Sequence, residues 1–472
     1  MKLHIENIAK IKKVDIDIDA ITVVAGSNNT GKSTVGKALF AVFEAFNNIE
    51  QFVQEWKPRD AKKILKKHGG NLDFICKKIS GAKRRKVSLV DELQDRFAYW
   101  IADCKNDSAV LENMKRYCTE HLRLYGIELE FQNGEVQSWL LEAGRDMVDN
   151  MMDYDSEYAK KYGIQKELQE VFGGQICKRT KRDEEKAGTR RSVIEIEING
   201  KDSQSYAMKN TVTLEMDDVK EVNQGFIVDT NTLYIENPRV LNQCSGLGYM
   251  QNDEMAKKKM EQLLKPNNGR YTVFSSYYEL LNTRIVDEEN DIKNAESNVE
   301  MQRMDEIIAD IDAGLAELMK GTVQFQNANA PLLFKDGDYE EGFQLSNLST
   351  GLKAISLLQC ILHYRVLRRK SVLILDEPEI NLHPEWQVKY AQFIAMLQKR
   401  LELHIVVTTH SPFFLKALEN AAVENDIEKH CHYYYAEDDR GDSVLRCVDD
   451  DIESVYSKMM MPLFDMIADM GL

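Results

Sequence analysis

Apolar residues alternate along the first two dozen positions. Leu3, Ile5, Ile8 and Ile11 recur every two or three residues, Val14, Ile16 and Ile18 alternate strictly, and Ile21 to Val24 form a continuous run. A period of two turns one strand face toward a core, and a short unbroken run fits a strand buried on both faces. Short strands are therefore expected over 2–24. Gly26 ends the last of them, and Thr34 to Asn47 carries a helical pattern, so strand, glycine loop and helix follow in order.

The middle of the chain is patterned differently. Residues 88–172 read as helical, with turns at Gly126 and Gly134. Val193 to Ile198 alternates as a strand, and 211–216 and 226–235 are two more strand-like pieces, the second leading to Pro238. Between 276 and 320, Leu280, Leu281, Ile285, Ile292, Met304, Ile307, Ile308, Ile311 and Leu315 line one or two polar helices. Their spacing is too irregular for a long coiled coil, so this arm packs either on a partner or on the rest of the chain. A hairpin is expected around Leu332–Leu345, then helix 350–367, strand 371–375, helix 385–400 and strand 403–409. Tyr433–Tyr435 and Val444–Val448 read as strands and 452–468 as a final helix. The alternation predicts an α/β fold with a parallel sheet covered by helices on both faces.

Composition refines this in a few respects. A chain of 472 residues has room for two or three domains. No apolar stretch approaches the roughly 20 residues that span a bilayer, and the N-terminus lacks a charged-then-apolar leader. A complete cytoplasmic protein without a membrane segment is expected. Eight cysteines without a Cys-x-x-Cys pair indicate neither a thiolate zinc site nor a disulfide framework, which fits a reducing compartment.

A net charge of -16 argues against a uniformly basic nucleic-acid coat, yet charge is unevenly spread. Lys57 to Lys86 holds twelve basic residues against two acidic ones. That stretch either contacts a phosphate backbone (double-stranded DNA or another nucleic acid), or docks a protein, or is a solvated helical face. A second cluster, Lys178–Arg191, is weaker because three acids interrupt it. Neither is interleaved with aromatics, so any nucleic-acid contact there is expected to be sequence-independent and salt-sensitive.

Two widely separated segments carry the chemistry. Gly26-Ser27-Asn28-Asn29-Thr30-Gly31-Lys32-Ser33-Thr34 satisfies G-x-x-x-x-G-K-[ST] between a strand and a helix. In such a loop consecutive N–H groups and the helix N-terminus surround a β-phosphate, Lys32 reaches the β/γ oxygens, and Ser33 supplies a hydroxyl to Mg²⁺. Val372 to Leu375 forms an apolar strand that ends in Asp376 and Glu377. There one carboxylate can hold the Mg²⁺ shell and the next can polarise a water. These halves serve one site, so the chain must fold back across all that lies between.

Thr409-His410-Ser411 ends the next strand, where a histidine either reads the γ-phosphate or serves as a structural turn. Leu348-Ser349-Thr350-Gly351-Leu352 precedes the helix carrying Ile355, Leu358 and Leu362. Serine caps a helix at such a position, which alone accounts for it.

Together these elements resemble the ATP-binding-cassette fold, in the branch containing the SMC, RecF and OLD-type ATPases. Asn28, Asn29 and Thr30 in the loop, Asp376-Glu377-Pro378-Glu379-Ile380-Asn381-Leu382-His383-Pro384, and Thr408-Thr409-His410-Ser411-Pro412 look like the RecF/OLD side rather than membrane transporters. The resemblance covers roughly 1–46 and 345–435. It implies ATP and Mg²⁺ as cofactors, with Gly26, Asn28, Asn29, Gly31, Lys32, Ser33 and Thr34 around the nucleotide and Ser33 and Asp376 on the metal. It also implies Glu377 as catalytic base, His410 as switch, and Asn381 to His383 in an inter-subunit loop. Ser349 and Gly351 would form a signature that grips nucleotide held by another subunit, with Lys353 adding charge. Two ATP molecules sandwiched between heads then make a homodimer or a higher homo-oligomer. The chain departs from the pattern at Thr350-Gly351, where the commoner signature has two glycines, and neither Gln51 nor Gln54 is a clear glutamine loop.

The organisation expected is an ATPase head from both ends of the chain (1–50 and 326–472), a helical, partly basic insertion over 51–190, a strand-containing region over 191–275 and a helical arm over 276–325. OLD-type nucleases add a TOPRIM domain after the ATPase, which needs more chain than the 62 residues after His410. Asp438, Asp439, Asp442 and Asp449 to Asp451 have no metal-site spacing and read as an exposed acidic face. No nuclease is therefore expected in this chain. Stand-alone ATPases of this plan resemble those of bacterial anti-phage systems, notably the Septu ATPase with its separate HNH nuclease, and next the PARIS ATPase with a TOPRIM effector. The implied role is a sensor or scaffold that controls a separately encoded nuclease. The alternative is a DNA-repair or chromosome-maintenance ATPase of RecF/SMC type.

Overall fold

The computed structural model describes residues 1–47, 112, 142, 156–177, 191–198, 208–226, 232–236, 297–324, 333–337, 341–363 and 367–469. The basic stretch 57–86, Gln51, Gln54, cluster residues 178–190 and the apolar positions Leu280, Leu281, Ile285 and Ile292 lie outside them. Two compact units divide the chain, residues 1–47 with 165–472 and residues 48–164. Of the second unit the described residues are Glu112, Glu142 and 156–164, all helical.

The first unit is built on an eleven-stranded sheet drawn from both ends of the chain, the α/β head that the two half-motifs require. The N-terminal segment supplies β1 (Lys2–Ile8), β2 (Ile11–Asp17) and β3 (Ile21–Gly26), followed by α1 (Lys32–Asn47). After α2 (Ser156–Phe172) come β4 (Arg191–Ile198), β5 (Met208–Glu215), β6 (Asp218–Gln224) and β7 (Thr232–Ile235). Helix α3 (Ser297–Met319) leads into β8 (Gly321–Gln324), β9 (Leu333–Asp336) and β10 (Phe343–Gln344). The remainder is α4 (Thr350–His363), β11 (Val372–Asp376), α5 (Pro384–Leu401), β12 (His404–Thr409), α6 (Pro412–Glu424), β13 (Cys431–Asp439), β14 (Asp442–Cys447) and α7 (Ile452–Asp469).

The strand order is β6-β5-β4-β1-β2-β14-β13-β3-β12-β11-β7. From β13 to β7 the pairs are parallel. The expectation of a parallel sheet holds for this half only. Strands β6, β5, β4, β1 and β2 pair antiparallel, and the alternating burial of β4 is the pattern of a sheet with one wetter face. Strands β10, β9 and β8 form a separate three-stranded antiparallel sheet where the hairpin is expected.

Helices cover both faces of the parallel half. Alternate residues Ile21, Val23, Ala25, Leu373, Leu375, Ile405 and Val407 join one core with α4, α5 and α6. The opposite side receives α1, which packs on β3, β11, β12 and β7. The arm question is resolved for α3: Ile311, Leu315 and Met319 are buried in that same core, and the helix packs along α4 and α5. Helix α4 is described as far as His363, and Leu367, the end expected from sequence, lies outside it. No described helix is long and apolar enough to cross a membrane.

Candidate functional site

The site forms where the parallel strands end. Strand β3 is buried at every residue between β13 and β12, so its C-terminal turn opens at the middle of the sheet. Gly26 leaves the strand at φ 153° against the backbone of β13, where a Cβ would stand 2.4 Å from the Ala436 carbonyl oxygen. No side chain fits that approach. Asn29 and Gly31 also have positive φ, at 65° and 79°, so the loop reverses tightly and delivers Lys32 into the first turn of α1. Thr30 donates its hydroxyl to the Ser27 carbonyl at 2.7 Å, and Lys10 Nζ donates to the Asn29 carbonyl at 3.2 Å. Ser27, Asn28 and Asn29 are exposed at the loop crest, and Thr34 donates its N–H to the Gly31 carbonyl.

Register places the second half-motif beside the first. In β11, Asp376 stands opposite Thr408 of the parallel neighbour β12, while Ile374 stands opposite Tyr234 of β7. Asp376 is buried and collects three hydroxyls. Ser33 donates to Oδ1 at 2.9 Å, Thr408 donates to the same oxygen, and Tyr234 donates to Oδ2 at 2.6 Å. Burial and the neighbouring Asp376 carboxylate raise the Tyr234 pKa well above its ordinary value, which keeps the phenol a donor.

Glu377 follows in a left-handed conformation, φ 48°, which costs a non-glycine residue about 1–2 kcal/mol. Two contacts hold it, its N–H donating to the Thr408 carbonyl at 3.1 Å and to the Thr408 hydroxyl at 3.0 Å. The side chain then lies between a lysine and a histidine. Lys32 Nζ is 3.4 Å from Oε1, and His410 Nδ1 is 3.5 Å from Oε2. Lys32 itself is 3% exposed and donates to the Ser27 carbonyl at 2.8 Å.

Loop, carboxylates and histidine thus form one connected set: Lys32 to Glu377, Ser33 to Asp376, Glu377 to His410. Ser349 and Gly351 are held by other contacts. The Ser349 hydroxyl accepts the Leu352 N–H at 3.4 Å, the weak cap of α4 that serine predicts. Gly351 is buried under Trp386 of α5, where a Cβ would meet the indole at 2.7 Å. That glycine therefore has a packing role which the sequence pattern does not reveal. The acidic residues near the C-terminus are used locally, Asp449 by His432 and the Tyr433 N–H and Asp438 by the Gly441 N–H. Among the described residues no group of three or more His, Cys, Asp or Glu could hold a metal ion.

Three residues of the site carry no assignment from sequence. Thr408 and Glu379 sit inside segments already quoted for their neighbours, and Tyr234 ends a strand-like piece. Glu379 is 3% exposed and accepts at Oε1 from the Thr409 hydroxyl at 2.6 Å and the His410 N–H at 3.0 Å. Its burial raises the pKa of the carboxyl.

The sequence profile of the AAA ATPase domain family matches residues 1–415. No curated protein matches the chain significantly. Among solved structures, an SMC head bound to the C-winged helix domain of ScpA is similar at 11% identity, over 96% of this chain and 98% of that one, with a TM-score of 0.40. The SMC head domain from Thermotoga maritima is similar at 12% identity over 95% and 98%, TM-score 0.35. An Smc head with an extended coiled coil, bound to the C-terminal domain of ScpA derived from Pyrococcus furiosus, is similar at 13% identity over 99% and 98%, TM-score 0.41.

Proposed function

This chain belongs to the AAA ATPase domain family, and from that premise we propose that it binds ATP with Mg²⁺ and hydrolyses it at the Lys32–Asp376–Glu377 site. The observation that carries the reading is the direct pairing of the two half-motifs, Ser33 to Asp376 at 2.9 Å and Lys32 to Glu377 at 3.4 Å, across more than three hundred residues of chain. The donor set fits the cofactor: a hydroxyl and a carboxylate offer hard oxygen atoms, which suit Mg²⁺. The loop fits the substrate, because left-handed turns at Asn29 and Gly31 before a helix N-terminus are the backbone of an anion nest.

In this mechanism Ser33 and Asp376 hold the metal, which when bound supplies charge neutralisation to the phosphate oxygens. Lys32 binds those oxygens and so leaves Oε1 of Glu377, which then accepts a proton from the attacking water. His410 keeps the other carboxylate oxygen in place and senses the terminal phosphate. Thr408 fixes both carboxylates, by its hydroxyl to Asp376 and by its carbonyl to the Glu377 N–H. Ser349, exposed at the N-terminus of α4, supports a site completed by a second subunit in a two-fold ATP sandwich.

At a finer level we read the chain as the ATP-binding sensor or scaffold of an anti-phage complex that controls a separate nuclease, HNH type before TOPRIM type. The support is the resemblance of Asp376–Pro384 and Thr408–Pro412 to the RecF/OLD side, together with a stand-alone plan similar to that of the Septu and PARIS ATPases. The test is co-expression with the genomic neighbours, followed by pull-down and mass determination with and without ATP. A stoichiometric nuclease supports this reading. An effector-free dimer that binds DNA in a salt-sensitive way favours the repair or chromosome-maintenance alternative.

A further inference from the structure

Between strand β11 and helix α5 the chain carries a second glutamate, two positions past Glu377, that the mechanism above does not use. The side chain of Glu379 is 2% exposed, and its two oxygens are used unequally. Oε1 takes the Thr409 hydroxyl at 2.6 Å and the His410 N–H at 3.0 Å, so one atom grips both residues of the turn that ends β12. Oε2 is buried and has no hydrogen-bond partner among the described residues. A buried polar oxygen without a partner carries a cost, so its presence asks for a role.

The His410 ring faces both glutamates. Nδ1 lies 3.5 Å from Glu379 Oε1 and 3.5 Å from Glu377 Oε2. Both distances exceed the 2.7–3.2 Å of a well-formed N–H···O hydrogen bond. Nδ1 is thus equidistant from the two carboxylates and fully hydrogen-bonded to neither. The backbone of the turn is held meanwhile: Ser411 donates its N–H to the Thr409 hydroxyl at 3.0 Å and its own hydroxyl to Gln387 Oε1 at 2.9 Å. Ring movement is thereby separated from main-chain movement.

We propose that Glu379 is the positioning residue of the switch, holding the Thr409–His410 turn so that the His410 ring exchanges a resting contact with Glu379 for an engaged contact with Glu377. The inference rests on the ATPase reading for its consequence, though not for its geometry. Burial, which raises the pKa of the Glu379 carboxyl, is the same enclosure that keeps its oxygens on the turn.

The experiment compares Glu379→Gln, Glu379→Leu and Thr409→Val in the full chain, each alone and with His410→Ala. Glutamine keeps an acceptor oxygen and should hydrolyse ATP within about threefold of wild type, whereas leucine releases the turn and should lower kcat at least about tenfold with KM unchanged. In the His410→Ala background leucine should cost nothing more, the non-additivity expected of residues acting as a unit. Leucine that leaves kcat intact, or slows hydrolysis equally with and without His410, overturns the proposal.

A second measurement needs no hydrolysis. In histidine-labelled protein free of nucleotide, the His410 ring resonances, assigned by their loss in His410→Ala, should move in Glu379→Leu and in Thr409→Val. Unmoved resonances overturn the proposal even if leucine prevents folding, since Thr409→Val removes one donor to the same oxygen, along with the acceptor of the Ser411 N–H, and keeps the carboxylate in place. A wild type without hydrolysis but with displaced resonances defeats the ATPase reading and leaves the positioning role standing.

Discussion

Tyr234 and Asp376, 142 residues apart in sequence, are joined by a 2.6 Å hydrogen bond in the buried seam between β7 and β11. The phenol is the only group reaching Asp376 from that edge strand among the hydrogen bonds of the described residues; Ser33 and Thr408 approach the other oxygen. The carboxylate that is proposed to hold the metal is thus oriented by three hydroxyls from three separate elements.

Tyr234→Phe should expose the value of this bond. It leaves a buried carboxylate oxygen without its donor, at a cost of about 1–3 kcal/mol to folding stability, read from urea unfolding. The Mg²⁺ concentration for half-maximal hydrolysis should rise several-fold, because Asp376 is less firmly aimed. Unchanged values of both would remove Tyr234 from the site.

Lys32 and Glu377 touch, yet their proposed tasks differ, and substitution should separate them. Lys32→Ala removes the phosphate ligand and should abolish nucleotide binding as read by equilibrium titration. Glu377→Gln keeps the side chain's shape and should bind ATP normally while losing about 10²–10⁴-fold in kcat, the usual contribution of a general base.

If heads pair with Ser349 acting on a neighbour's nucleotide, defects in different subunits should complement. Lys32→Ala and Ser349→Arg chains should each be inactive alone, since every site in either homodimer lacks a part. Mixed, they form heterodimers with one site carrying both lesions and one carrying none, so activity should return. Mixtures as inactive as their components would place Ser349 in the local capping role that its 3.4 Å contact with the Leu352 N–H already provides.

Burial of Glu379 also predicts how stability follows pH. Its carboxyl pKa is raised above the ordinary 4.5, so folding favours the protonated form. The associated stability is complete below the unfolded value and falls as pH rises through the raised folded value. Glu379→Gln cannot ionise and escapes that loss. Its urea midpoint relative to wild type should therefore be higher at pH 8 than at pH 5, with the His410 ring the titratable group facing it in both proteins.

Much of the site is legible in sequence because its parts are contiguous. The loop Gly26–Thr34 falls between a strand and a helix as its glycines require, and the strand expected at 371–375 is found at Val372–Asp376. Long-range pairing is where such reading stops. Tyr234 reaches Asp376 only because β7 joins β11 in parallel, a register that no local pattern encodes. Strand β6 has no residue buried in its seven, so it lacks the apolar alternation that would mark it. Helix α6 is not among the elements expected from sequence, yet Ser411-Pro412 is a good start signal, the Ser411 hydroxyl accepting the Phe414 N–H at 3.2 Å. Glu379 was hidden similarly, because its role depends on β12 lying alongside.

The central claim is that the two half-motifs form one hydrolytic site. Steady-state phosphate release from ATP, measured with and without Mg²⁺ for wild type and Glu377→Gln, tests it most directly. Mg²⁺-dependent release by wild type that falls at least about a hundredfold in Glu377→Gln, with ATP still bound, is the predicted result. Release that persists in Glu377→Gln, or a wild type that binds no ATP, would contradict it.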